Sequence, residues 1–364
     1  MERNMEKKIK VGIYTFIAAD NYGAVLQAYA LKQFLCDQGY EAHCVDYRPD
    51  YLAEKCRPFS SKRLSSKIAG KGLLRNFVKE IFLYRVLQKR HLRFEEFRQK
   101  KLSLLPIDEE NIDCYIVGSD QVWNYSITHG DRHFMGDIPN VASCVIAYAA
   151  SMEARLAEDQ MEKFRKQLEN FKSISVREDN LKCFLKSAFG QDSELVVDPT
   201  FLLSAKEWLQ VSVPYRDYDN DYIFMYGFGF TEQTKKAVRV FANKCGLKIV
   251  LLTASIKLKR EYCNDISPEQ FVYLVGHAKY VVTNSFHGTA FSIILGKKFI
   301  ELPHPSLKKN IRVENLLELS GIRSQYTDVF TGISSSDFTH VSSYSSKLLD
   351  IIESSKNYLL RNIV

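Results

Sequence analysis

The 364-residue chain has no uninterrupted run of the ~20 apolar residues that a membrane-crossing helix requires. Any membrane contact is therefore expected to be peripheral. Its opening, "MERNMEKKIK", is charged and lacks the apolar core of a signal peptide, which makes a cytoplasmic protein the expectation. The eight cysteines, at 36, 44, 56, 114, 144, 183, 245 and 263, contain no C-x-x-C spacing. Most lie inside apolar runs, so they read as buried thiols of a reducing compartment, not as a disulfide framework or a zinc site. No G-x-G-x-x-G follows a strand-like run, so the dinucleotide fingerprint is missing. Low-complexity tracts are also absent, and 46% hydrophobic with 26% charged residues is a globular composition.

What is present is an alternation of short β-rich apolar runs with amphipathic helical stretches, the pattern of parallel sheets wound with crossover helices. Strands are expected at "KVGIYTF" (10–16), "EAHCVDY", "CYIVGS" (114–119), "CVIAYAAS" (144–151), "SISVR" (173–177) and "ELVVDP" (194–199). The polar stretch "VPYRDYDNDY" breaks the pattern. It then restarts with "YIFMYGFG", "KIVLLTA", "YVVTNS" and "KFIELP", with helices between them, one of them placed after Gly288. The fold class predicted is α/β, with two doubly wound Rossmann-like lobes facing a cleft. The first lobe is assigned to 1–212, the second to 213–340, and 341–364 to a helix packing back across the lobes. Ligands bind at the carboxyl ends of such sheets, so the default active site lies there.

A basic helical insertion at about 52–105 is expected to interrupt the first lobe. Between 62 and 101 it holds thirteen Lys or Arg against three acids, a local excess of +10 beside +7 for the whole chain. It reads either as a solvated face or as a surface for anionic phospholipid or a pyrophosphate-bearing acceptor. Nucleic acid is not expected, because no reading motif accompanies the charge.

Four stretches carry candidate chemistry. In "DNYGAVLQAYAL", Asn21, Tyr22, Gly23 and Gln27 stand where a strand turns into a helix, a place suited either to a ligand or to a simple cap. In "IVGSDQVWN", Ser119, Asp120, Trp123 and Asn124 collect hydrogen-bonding groups and a flat ring at a strand end. Asp120 reads as a general base or a helix cap, and Trp123 as a sugar-stacking ring or core. In "SVREDN", Arg177 offers a fork to a carboxylate or phosphate, or a salt bridge. In "TNSFHGTAFSIIL", Asn284, Ser285, Gly288 and Thr289 surround His287 where a strand meets a helix N-terminus. Downstream, His304, Lys308, Lys309 and Arg312 are cations at a loop entering a helix. His129 and His133 in "HGDRH" have metal-like spacing but no third ligand, so no metal is expected.

Taken in order and spacing, "NYGAVLQAYAL", "IVGSDQVWN", "SVREDN", "VVDPTFLL" and "TNSFHGTAFSIIL" resemble the polysaccharide pyruvyl transferase family over roughly residues 10–325. The resemblance implies a fold similar to the two-lobed GT-B glycosyltransferases. It also implies transfer of a pyruvyl group from phosphoenolpyruvate to a glycan hydroxyl, commonly as a cyclic ketal. His287 then matches the family's donor-site histidine and Arg177 its arginine after the strand, while Asn21, Gly23, Asp120 and Trp123 match motifs of the first lobe. Many members carry an arginine two places before that histidine, where this chain has Ser285. Arg177, Lys308 and Arg312 are the proposed replacements.

On that reading His287, Asp120 and Arg177 are catalytic. Asn284, Ser285, Gly288, Thr289, Lys308 and Arg312 bind the donor. Asn21, Tyr22, Gly23, Gln27, Ser119, Trp123 and Asn124 bind the acceptor. No cofactor is implied beyond phosphoenolpyruvate as co-substrate. The acceptor class expected is a glycan linked to a polyprenyl pyrophosphate at the inner face of the cytoplasmic membrane, with residues 62–101 touching anionic lipid. A glycosyltransferase using a nucleotide sugar and a non-catalytic glycan-binding protein stay open as alternatives.

Overall fold

The computed structural model describes residues 8–53, 73–107, 109, 111–138, 144–153, 156–216, 221–253, 261–304, 307–322 and 332–363. In the helices that begin at 73 and 307, side chains are described from Tyr84 and Asn310 onward. The chain divides into two compact units, one of Met1–Ala53, Arg98–Leu203 and Leu349–Val364, the other of Glu54–Phe97 and Ser204–Leu348.

The first unit is built on a six-stranded parallel sheet. Its strands are β1 (Lys10–Tyr14), β2 (Glu41–Cys44), β3 (Cys114–Gly118), β4 (Cys144–Ala150), β5 (Ser173–Val176) and β6 (Glu194–Leu195), in the order β2-β1-β3-β4-β5-β6. Every residue of β3 and β4 is buried, as expected of central strands covered on both faces. Each fully buried Val or Ile there stabilises the unit by about 1.5–3 kcal/mol. The order reverses between β1 and β3, which makes their carboxyl ends the switch point of the sheet. Strand β6 is only two residues long, although "ELVVDP" reads as a longer strand. The Asp198 carboxylate accepts from Thr200 N at 3.0 Å and Thr200 Oγ1 at 2.8 Å, and this turns the chain into a 3-10 turn.

The second unit repeats the scheme with β7 (Tyr222–Gly227), β8 (Lys248–Thr253), β9 (Tyr280–Thr283), β10 (Lys298–Glu301) and a short antiparallel β11 (Thr339–His340). The order is β11-β10-β9-β7-β8, so a second switch point lies at the carboxyl ends of β7 and β9. Strand β11 was not foreseen, since two residues carry no readable period.

Helix signals in the sequence are honoured locally. Helix α1 (Tyr22–Asp37) starts at the Asn21 cap and stops before Gly39, whose φ of 93° suits glycine. The helix Pro268–His277 opens with a Ser267–Gln270 capping box and proline in its first turn.

Three boundaries differ from the sequence expectation. The second unit begins at Ser204, because Trp208 packs edge-on against Phe291 at 4.8 Å. The basic segment groups with the second unit as far as Phe97, in keeping with an Arg93 bond to Gln270 at 2.5 Å and a Lys89–Asp265 ion pair at 2.6 Å. The last helix (Ser346–Asn362) groups with the first unit from Leu349 onward, where the Tyr358 hydroxyl donates to Ala147 O at 3.0 Å. Residues 54–72 of the basic segment lie outside the described residues, as do its side chains up to 83. Four described cysteines, 44, 114, 144 and 263, are buried thiols, whereas Cys183 and Cys245 are exposed.

Candidate active site

In the second unit, β9 ends at Thr283 and the helix Phe286–Ile294 begins three residues later, with Ser285 as its N-cap. The sequence placed this helix after Gly288, but Gly288 lies inside it. A Cβ there would meet Thr283 Oγ1 at 2.1 Å, so only glycine lets the helix sit this close to the strand. His287 is therefore held in the first helical turn at the switch point, 7% exposed, with its ring edge-on to Phe286 at 5.2 Å.

Asn284 ties this turn to the loop after β7. Its Nδ2 donates to Phe228 O at 2.7 Å and its Oδ1 accepts from Phe228 N at 2.8 Å. Both ends of the amide are thus used in positioning the loop. A Cβ at Gly227 would lie 2.0 Å from Asn284 Oδ1, which explains the glycine at the end of β7. Thr289 faces inward, donating to the Glu301 carboxyl at the end of β10. Burial raises the Glu301 pKa well above the usual carboxylate range, against the lowering effect of that bond.

The guanidinium of Arg312 lies 6.0 Å from the centroid of the Phe286 ring, which also stands edge-on to His287. A cation from a later helix (Leu307–Leu319) is thereby brought to the histidine's turn. His304 stands against Phe228 at 5.7 Å. Lys308 belongs to the same helix as Arg312, but its side chain lies outside the described residues, as does that of Lys309.

In the first unit, Arg177 follows β5 and is buried among three carboxylates: Asp198 at 2.6 Å, Glu178 at 3.1 Å and Asp120 at 3.8 Å. Desolvation opposes its charge, but these three acids outweigh it and raise the guanidinium's pKa. Its fork is engaged by carboxylates of its own unit, the salt-bridge alternative that the sequence offered for Arg177. Asp120 sits at φ 63°, in the left-handed region that Asp tolerates better than most residues. Ser119 Oγ donates toward Asp198 at 3.5 Å.

Trp123 is corrected from sugar platform to core. It is fully buried, donates through Nε1 to Phe134 O at 3.1 Å, and packs on Phe164 and Phe171 at 5.7 and 5.5 Å. Asn124 caps a short helix through Ser126 N, and Asn21 caps α1 through Gly23 N and Ala24 N, so both take the capping role. Tyr22 and Gly23 are buried in the first turn of α1. Gln27 donates to Thr15 Oγ1 at 2.7 Å, while its buried Oε1 bonds to nothing among the described residues.

Several participants were missed from the sequence. Arg98, fully buried, donates to Ile17 O at 2.6 Å and to Ala19 O and Asp20 Oδ1 at 2.8 Å, clamping the β1–α1 loop. Glu178, Asp198 and Glu301 complete the buried acid groups. Around Asp131, Tyr47 and Tyr51 donate to Oδ2 at 2.6 and 2.7 Å, and His133 Nδ1 stands 3.1 Å from Oδ1. Local spacing gave no signal for contacts spanning 78 residues or more. Among the described residues no group of His, Cys, Asp and Glu is arranged to hold a metal, and no helix is long and apolar enough to cross a membrane.

The chain is similar in structure to a putative UDP-N-acetylglucosamine 2-epimerase from Listeria monocytogenes, at TM-score 0.50 and 11% identity over 97% of this chain and 95% of that one. The UDP-GlcNAc 2-epimerase from Neisseria meningitidis, bound to UDP-GlcNAc, gives TM-score 0.48 and 10% identity over 98% and 99%. With two wound sheets, parallel but for β11, the first likeness identifies the fold as GT-B-like. No curated protein sequence matches the chain. The profile of polysaccharide pyruvyl transferase matches residues 21–304, most of the chain, and the protein belongs to that family.

Proposed function

We propose that the protein transfers a pyruvyl group from phosphoenolpyruvate to a hydroxyl pair on a glycan, closing a pyruvate ketal. The observation that carries this reading is His287 in the first turn of a helix at the second switch point, with Arg312 brought to the same turn. Helix N-terminal N–H groups favour an anion, and an imidazolium beside them can deliver a proton. Phosphoenolpyruvate brings a phosphate and a carboxylate, both of which need cations. Arg312 and Lys308 are assigned to them in place of the arginine that Ser285 replaces.

In this mechanism an acceptor hydroxyl adds to C2 of the donor while His287 protonates the methylene carbon. Phosphate then leaves with the C–O bonding pair, and the second hydroxyl attacks C2 and gives up its proton. Ser285, Gly288 and Thr289 shape the donor turn, and Asn284 holds it in place. Asn21, Tyr22, Gly23, Gln27, Ser119, Asp120 and Asn124 are assigned to the acceptor side of the first unit, where Arg177 orders the carboxylates. The acceptor proposed is a saccharide carried on a polyprenyl pyrophosphate, met at the inner membrane face.

The test is phosphate release from phosphoenolpyruvate with a panel of free and lipid-linked galactosides and mannosides, read with product mass. A product heavier by one pyruvate less one water supports the reading. Silence across the panel, with a nucleoside diphosphate sugar consumed instead, would replace it with glycosyl transfer.

A further inference from the structure

The amino ends of the strands in the second sheet are basic. Lys279 immediately precedes β9, Lys297 and Lys298 stand at the start of β10, and His340 of the antiparallel β11 is paired in register with Lys298. Strands β9, β10 and β11 are neighbours in the sheet, and neighbouring strands lie about 4.8 Å apart. Lys279, Lys298 and His340 are thus within reach of a single anionic group.

These residues line a cavity of about 520 Å³, whose whole lining belongs to the second unit. That volume lies in the range of small-molecule sites. The helix Pro268–His277 ends at the cavity with Gly276 and His277, and Gly296 adds the turn after the helix Phe286–Ile294. Helix C-termini carry roughly half a negative elementary charge each. Asp221 is the one acid lining the cavity among the described residues, and it stands 3.6 Å from Lys279. Three lysines outweigh this carboxylate and both helix ends together.

Lys297 is the half-buried member. Its Nζ donates to Gly276 O at 2.8 Å, and no carboxylate pairs with it among the described residues. Burial lowers its pKa accordingly. An ammonium taken partly out of water and held by a carbonyl alone gains from an anion beside it. Lys298 is exposed at the mouth and likewise has no carboxylate partner among the described residues.

The remaining wall suits hydroxyl groups and a ring. His277 stacks on Tyr273 at 4.1 Å, and its Nδ1 stands 3.0 Å from Tyr273 O. A carbonyl only accepts, so the neutral ring carries its proton on Nδ1 and leaves Nε2 as an acceptor. Tyr280 is braced from behind by Phe338 at 4.2 Å and Phe241 at 5.4 Å. An imidazole nitrogen and the Asp221 carboxylate accept from hydroxyls, and the phenol ring offers an apolar face to the C–H side of a sugar.

We infer that this cavity binds a small phosphorylated sugar, with its phosphate among Lys279, Lys297 and Lys298 and its hydroxyls toward His277 and Asp221. The site is separate from the turn that holds His287, since the four residues of β9, Tyr280–Thr283, put about 10 Å between them. It does not depend on the pyruvyl-transfer reading.

Lysine acetylation of the full chain, followed residue by residue by mass spectrometry, tests the site with a hexose phosphate and inorganic phosphate as probes. The hexose phosphate should slow labelling of Lys279, Lys297 and Lys298 several-fold and leave Lys182 and Lys236, exposed on other helices, unchanged. In calorimetric titration, Lys298→Glu and Lys279→Ala should each weaken binding by about tenfold or more. Both side chains are exposed, so these variants keep the fold, whereas Lys297 also holds Gly276 O and is left intact. Inorganic phosphate should bind more weakly than the hexose phosphate. Equal slowing at every lysine would mean charge screening alone, native affinity in both variants would put the phosphate elsewhere, and equal affinity for the two probes would leave the sugar no role; each overturns the assignment. Because neither readout is phosphate release from phosphoenolpyruvate, the site can fail while pyruvyl transfer stands.

Discussion

At the scale of single residues, the site depends on close approaches that few side chains satisfy. His287→Ala should abolish phosphate release while leaving the melting temperature within a few degrees, since its ring contact to Phe286 is peripheral to the strands. An active His287→Ala enzyme would remove the histidine from the chemistry. Asn284→Ala deprives Phe228 of two bonds and should cost about 1–3 kcal/mol in urea unfolding. Gly227→Ala should cost more, because its methyl would strike Asn284 Oδ1. The two changes together should cost less than their sum, since removing the amide removes the obstacle; strictly additive costs would refute the contact. His287 was legible in the sequence because an imidazole in a small-residue turn between apolar runs is conspicuous. The role of Trp123 was not, because a ring just past a strand reads the same whether it faces a ligand or, as here, Phe164 and Phe171.

At the scale of elements, the parallel strands were readable because continuous apolar runs such as Cys144–Ala150 are what a two-faced sheet requires. What escaped was set by partners distant in the chain. The helix Leu73–Lys101 looked like a charged surface feature, yet Arg98, 81 residues from Ile17, is interior to it and bonds the loop after β1. Arg98→Met should cost about 3–5 kcal/mol by leaving Asp20 and two carbonyls without their donor. Amide exchange should rise first in residues 17–20. Protection unchanged there would show that the loop is held by other contacts.

At the scale of the whole molecule, two buried carboxyls tie stability to pH in opposite senses. Asp131, held down at about 2 against an ordinary 3.8, favours the folded state above the unfolded value, by about 2 kcal/mol, and that contribution fades as pH falls from about 4 toward about 2. Glu301, raised by burial, acts the other way: its contribution is complete below the unfolded value and is lost as pH climbs toward the raised one. Melting curves from pH 3 to 9 should therefore flatten on the acid side in Asp131→Asn and on the alkaline side in Glu301→Gln. Unchanged slopes would reject the corresponding burial. The C-terminal helix adds a matter of timing. Tyr358 and Ser355 satisfy Ala147 O and Val197 N of the first unit, so those two backbone groups leave the ribosome more than 150 residues before their partners. The first unit to be synthesised is consequently the last to be closed, and a chaperone or a protease meeting the nascent chain finds all six of its strands before the helix that bonds β4 and the stretch after β6 exists.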